Sequence, residues 1–274
     1  MPELAELYLI TTFLNDNYKN KNLVSFKFNE ISKFNKKPPQ FLEQFQKDIN
    51  LKLTDIKRKG KILILVFHDK WWICIHFGLH GFLRTNKKDN IILNNYDNNK
   101  KNIHGIFNFE NDVSLNFVDI SGFGTSFNFF NNKSEFEKYL DKYAIDIKDT
   151  KFTFQKFKEN IKKIQDKKLK RDELCVVLLK QNYLCSGIGN YMKCEILYQS
   201  KLSPYRSIND IDDIMINDLY KSILKITEIN IKANGKVSKE FYVFMKNKDK
   251  NGNNVIKEKT PDGRSTFWVR EVQI

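Results

Sequence analysis

Apolar residues recur at helical spacing over residues 3–19, where Leu4, Leu7, Tyr8, Ile10, Thr11 and Leu14 fall near one face. They predict an amphipathic helix that starts almost at the first residue. From Val24 to Phe130 the pattern becomes that of strands. Lys61–Phe67 is a short buried run and Trp71–Phe77 another, joined by His68-Asp69-Lys70, which reads as a hairpin turn, and Val113, Leu115 and Phe117 alternate with polar neighbours. The Asn-, Lys- and Asp-rich stretch 94–102 reads as a polar loop. Several short strands with tight turns predict a two-layer β-sandwich. Near Ser134 the helical period returns. It predicts a short helix over 134–143, helical positions at Phe154, Phe157, Ile161 and Ile164 and again at Leu174, Val177 and Leu178, and a longer helix over 210–230. From Glu240 strand character reappears in Phe241–Phe244 and Ser265–Val269, with a turn at Asn251-Gly252, which predicts a terminal hairpin. The class is α+β: an N-terminal helix and β-sandwich over 1–133, a short helix and linker over 134–150, a helical domain over 151–239 and a β-hairpin over 240–274.

Composition narrows what such a fold does. Of 274 residues 41% are hydrophobic, with 23 Phe, enough for a packed core and too many for a disordered chain. A formal net charge of +14 points to a polyanion, nucleic acid or an anionic membrane, although Lys, Asn and Ile are frequent throughout, as AT-rich coding would also give. No stretch approaches the ~20 apolar residues of a membrane span, and Glu3 and Glu6 stand where a signal peptide carries basic residues, so an intracellular protein is expected. Cys74, Cys175, Cys185 and Cys194 show no CxxC spacing and no paired His, which argues against a zinc site or a disulfide framework.

Two short stretches carry candidate chemistry. The first is Met1-Pro2-Glu3. Methionine before proline is normally removed, leaving a secondary amine. A chain α-amine has a pKa near ~8, so a usable fraction is neutral and nucleophilic at physiological pH. Glu3 beside it suits a general acid or base. An ordinary helix start would also place Pro and Glu there. The second is Gly187-Ile188-Gly189-Asn190-Tyr191 between two helical segments. Glycines allow close backbone approach of a phosphate, and a helix N-terminus directs amides at it. A plain helix-turn-helix corner is the other reading.

Taken with their order in the chain, these motifs resemble the formamidopyrimidine-DNA glycosylase and endonuclease VIII superfamily. Besides the Pro-Glu start, residues 181–205 resemble that family's helix–two-turn–helix signature, and Arg58-Lys-Gly-Lys61 before Ile62–Phe67 resembles the strand bearing its active-site lysine. His76–Gly81 and Val118–Gly124 resemble its two duplex-entering loops, and Thr260–Val269 resembles the tip of its C-terminal finger. The resemblance implies a bifunctional glycosylase and abasic-site lyase of base excision repair. Pro2 is then the Schiff-base nucleophile, Glu3 the acid/base, and Lys61 a catalytic-site phosphate ligand. Gly189, Asn190, Tyr191 and Arg264 become DNA-binding, with Glu6 an accessory carboxylate and Leu79 and Phe123 void-filling side chains. Damaged DNA, duplex and also single-stranded or bubble, is the implied partner of a monomer, with no membrane partner.

Departures from the family pattern refine this. The usual finger holds zinc on four cysteines, and here none follows Cys194, so the resemblance points to the zincless-finger endonuclease VIII-like branch of eukaryotes and large DNA viruses, with no metal and no other cofactor. Ser121 and Gly122 replace two arginines of the second loop, which puts reading of the opposite base in doubt. The short segment over 231–239 points to oxidised pyrimidines and formamidopyrimidines rather than 8-oxoguanine. A nuclear or viral replication site is the matching location. A damaged-DNA-binding protein without chemistry on the same scaffold, and an RNA-binding protein, remain the alternatives.

Overall fold

The computed structural model describes residues 2–274 apart from 49, 79, 87–101, 121–123, 168, 170–171, 234 and 236–239. The chain forms two compact units, Met1–Pro2 with Glu6–Asp141, and Glu3–Ala5 with Lys142–Ile274.

Helix α1 (Leu4–Tyr18) arises as its periodicity predicts: Leu7, Ile10, Leu14 and Tyr18 are buried. Tyr8 does not share that face. One residue past Leu7 it is turned ~100° away, is 36% exposed, and lies under the Arg58 guanidinium at 5.7 Å.

Eight antiparallel strands follow: β1 (Asn22–Phe28), β2 (Leu51–Lys59), β3 (Ile62–Phe67), β4 (Trp71–Phe77), β5 (Gly81–Thr85), β6 (Ile103–Phe109), β7 (Val113–Asp119) and β8 (Thr125–Phe130). They form one sheet in the order β5-β7-β6-β1-β2-β3-β4-β8. The expected two layers are this single sheet folded over where β1 meets β2. Phe26 of β1 and Phe117 of β7 cross to Phe127 of β8 at ring separations of 6.3 and 5.0 Å, although neither strand hydrogen-bonds to β8. β3 is buried at every position, as its unbroken apolar run requires. His68 and Asp69 take positive φ in the predicted β3–β4 turn, closed by the Lys70 N–H donating to the Phe67 carbonyl at 2.9 Å. Two short helices, α2 (Lys33–Lys36) and α3 (Leu42–Lys47), interrupt the region read as strand. One or two turns carry too few residues to show a period, and both helices were missed. The helix predicted at 134–143 is α4 (Lys133–Leu140), capped by the Asn132 side chain on the Glu135 amide.

In the second unit α5 (Phe154–Gln165), α6 (Leu174–Leu179), α7 (Asn190–Gln199) and α8 (Asp213–Lys232) enclose one apolar cluster that includes Leu4. The terminal hairpin pairs β9 (Ile256–Lys259) with β10 (Ser265–Trp268). Phe241–Phe244, expected as strand, is not one. The amides of Tyr242, Val243 and Phe244 all donate to the buried Glu195 carboxylate, at 2.7, 3.0 and 2.7 Å, a convergence that strand pairing forbids. The predicted Asn251-Gly252 turn forms, with Asp249 accepting the amides of Asn251 and Asn253, but it precedes the hairpin and is not its tip. The tip is Thr260–Arg264.

Candidate active site

Glu3 is 2% exposed, and its carboxylate sits on the N-terminus of α7. Oε1 accepts the Tyr191 amide at 3.1 Å and Oε2 the Met192 amide at 3.3 Å. An anion there satisfies amides that a helix start leaves unpaired and meets the positive end of its dipole. The two glycines now have a cause. A Cβ on Gly189 would lie 2.0 Å from the Glu3 carboxyl carbon, and one on Gly187, at φ +125°, would lie 2.4 Å from Leu4 Cδ1. The Leu4 amide donates to the Gly187 carbonyl at 3.2 Å. The Tyr191 amide and the space at Gly189 serve Glu3. Gly189→Ala should therefore expel Glu3 from this seat. We expect a stability loss of about 1–3 kcal/mol together with loss of base excision, read by thermal melting and by gel cleavage of a lesion-bearing oligonucleotide. Wild-type activity in the variant would show that Glu3 need not sit there.

Asn190 opens α7. Its Nδ2 donates to the Ser265 carbonyl of β10 at 2.9 Å, and its Oδ1 is buried without a partner among the described residues. The Tyr191 ring stacks on Phe241 at 5.8 Å. Arg264 closes the hairpin tip, where Gly263 takes φ +78° and the Thr260 amide donates to the Arg264 carbonyl at 3.1 Å. Arg264 and Lys180 line a cavity of about 510 Å³ together with Asp262, Tyr183 and Pro261. Leu169, Val176 and Leu179 complete the lining, so that half of it is apolar and its two cations face one carboxylate. Glu3, Gly189, Asn190, Tyr191 and Arg264 are thus gathered around α7 and the hairpin it holds.

In the first unit, Pro2 is half-buried just ahead of Glu3, and Glu6 is a half-buried residue of the first turn of α1. Lys61 is not the exposed strand-edge lysine its surroundings suggest. It is 8% exposed in the two-residue Gly60-Lys61 turn between β2 and β3, where Gly60 supplies the positive φ. His76 pairs with Ile62 across β3 and β4. Burial first, and then the Lys61 charge, hold its imidazole below the usual pKa, and the Gly78 amide donates to its Nδ1 at 3.3 Å. His76, read as the start of a duplex-entering loop, is thus a residue of β4 with its imidazole beside the buried Lys61. The signal for that placement was the hairpin register, which the β3–β4 turn determines. Leu79 and Phe123 lie outside the described residues. Among the described residues no cluster of three or more His, Cys, Asp or Glu could hold a metal ion. All four thiols are buried, which raises their pKa, to about 11 for Cys175.

Residues 1–126 match the formamidopyrimidine-DNA glycosylase N-terminal domain. The formamidopyrimidine-DNA glycosylase of Mycoplasma genitalium is 30% identical over 226 residues, covering 82% of this chain and 74% of its own length. The chain belongs to the formamidopyrimidine-DNA glycosylase family. It is a DNA glycosylase of base excision repair by that membership. The Ureaplasma parvum member is 30% identical over 240 residues, 86% of this chain and 80% of that one, and the Wolbachia pipientis member is 29% identical over the whole of both. The fold is that of the Lactococcus lactis formamidopyrimidine-DNA glycosylase bound to DNA containing an abasic site, with TM-score 0.81, 23% identity and 99% of each chain covered. These likenesses do not separate an endonuclease VIII-like branch within the superfamily.

Proposed function

We propose that this glycosylase removes oxidised pyrimidines and formamidopyrimidines in preference to 8-oxoguanine, and that it cuts the strand through a Schiff base on Pro2. The observation that carries the Schiff-base reading is the seat of Glu3: a buried carboxylate fixed by two helix amides, one peptide bond from the residue that Met1 removal would turn into a secondary amine.

The cycle follows from those groups. Lysines and arginines displace counterions from DNA phosphates, giving salt-sensitive binding with little sequence preference. A damaged, poorly stacked base is extruded at reduced cost. The neutral Pro2 nitrogen bonds to C1′ as the glycosidic bond breaks, and Glu3 handles the protons that let the base and ring oxygen leave. The resulting iminium acidifies C2′, so the 3′ phosphate is eliminated and then the 5′ phosphate, leaving a one-nucleotide gap. Lys61, Asn190 and Arg264 hold backbone phosphates, and Arg264 is suited to a bidentate grip. Glu6 is an accessory carboxylate, and Leu79 and Phe123 fill the space the base vacates. None of these steps calls for a metal or cofactor.

The lack of any cysteine after Cys194 supports reading the hairpin as that of the zincless endonuclease VIII-like branch. The lesion preference rests on the short segment after α8, much of which lies outside the described residues. Excision from thymine glycol and 8-oxoguanine duplexes, measured with EDTA present, tests both points. Faster release of thymine glycol, undiminished by EDTA, is expected. Preference for 8-oxoguanine would overturn the lesion assignment, and loss of activity in EDTA the metal-free one.

A further inference from the structure

Lys193 lies in the middle of α7 with its side chain wholly buried. Lysine is seldom buried this way without a partner that needs it. Its Nζ is 2.5 Å from Asp262 Oδ2 and 2.7 Å from Thr266 Oγ1. Thr260 Oγ1 donates to Asp262 Oδ1 at 2.5 Å and lies 2.5 Å from Thr266 Oγ1. One assignment satisfies every hydroxyl: Lys193 donates to Thr266 and Asp262, Thr266 to Thr260, and Thr260 to Asp262. The ring is closed, and Arg264 stands between its members. Asp262 Oδ1 also accepts the Arg264 amide at 3.3 Å, and the Thr260 amide donates to the Arg264 carbonyl at 3.1 Å.

The same helix holds the rest of the segment. Glu195 takes the three amides of 242–244, Tyr198 donates to Asp249 at 2.9 Å, and Cys194 Sγ accepts the Phe267 amide at 3.4 Å. A two-stranded hairpin by itself is marginally stable, so the direction of its tip is set by what α7 supplies.

We propose that Lys193 and Asp262 are positioning residues for DNA binding, a buried ion pair that aims Arg264 at a backbone phosphate and does the work a metal would do in a cysteine-bearing finger. The inference rests on the reading of Arg264 as a phosphate ligand. Lys193 cannot touch DNA itself, because none of its side chain reaches solvent.

That burial makes the test specific. Binding to an abasic-analogue duplex is measured against salt, and steady-state excision alongside it, for Lys193→Met, for the doubly uncharged Lys193→Met/Asp262→Leu, for Arg264→Ala, and for each pair variant combined with Arg264→Ala. Removing both charges avoids the stranded buried ion that a single change leaves. Each pair variant should raise KM about tenfold while kcat holds within about twofold, and should lower the slope of log K against log salt by about one, as the loss of one phosphate contact does. In the Arg264→Ala background neither should add anything. A folded double variant with wild-type KM and salt slope would overturn the proposal, as would effects that simply add to those of Arg264→Ala. Failure of both pair variants to fold would make the ion pair structural and overturn its positioning role. If Arg264→Ala alone leaves KM and salt slope unchanged, the phosphate role of Arg264 is the part that fails, and the proposal falls with it.

Discussion

Protein carrying one extra residue ahead of Pro2 should form no borohydride-trapped complex with an abasic-site oligonucleotide, whereas the processed protein should trap readily, with EDTA present. The extra residue turns the Pro2 nitrogen into a tertiary amide, which has no lone pair available for attack and cannot form an iminium. The loss should be on the order of 10⁴-fold or more, the scale seen when an enzyme loses its nucleophile. Pro2→Gly is the informative companion. It keeps an α-amine with a pKa near ~8, so trapping should fall without vanishing. Binding of the blocked protein to an abasic-analogue duplex should persist, because Arg264 and Asn190 belong to α7 and its hairpin, far along the sequence from the blocked residue. Trapping by the blocked form would place the nucleophile on a lysine, and the buried Lys61 would be the first to examine. Absence of trapping from correctly processed, DNA-binding protein would reject the lyase chemistry for this member and favour a damage-binding role.

Much of this was legible in the chain because local pattern and tertiary environment agree. The β3–β4 pair was readable from two apolar runs and a turn, since every β3 side chain is buried and no alternation is needed. The site residues were readable only as motifs, and their reasons were not. Gly189 is small because Glu3, 186 residues earlier in the sequence, lies against it, and no window along the chain contains both. Lys193 and Glu195 are charged residues of a helix, yet both are wholly buried on α7. A helix buried on nearly all sides carries no amphipathic stripe from which its inward residues can be picked out. Phe241–Phe244 failed because of a partner far along the chain. Aromatic and β-branched content predicts strand, but a carboxylate on another element offered three amides a better partner. Where a long-range charge decides local structure, propensity loses.

Glu3→Gln separates the two tasks that the structure gives this residue. As an acid/base it matters for departure of the base, and general acid–base groups contribute about 10²–10⁴-fold. Excision from a lesion duplex should fall by that much. An abasic site has no base left to expel, so borohydride trapping on a preformed abasic oligonucleotide should survive within about tenfold. As a helix cap, the residue loses one of its two acceptors. Tyr191 and Met192 each bond a different carboxylate oxygen, and the amide group of Gln sets a donor against one of them. That should cost about 1–3 kcal/mol, a fall in Tm of several degrees in a protein of this size. The two readouts are independent: excision at a temperature well below both melting points reports chemistry, and the melt reports the cap. Equal losses of excision and trapping would show that Glu3 does not act at base departure. An unchanged Tm with lost excision would mean that the cap contributes little, and that the carboxylate is held at the end of α7 for its proton alone.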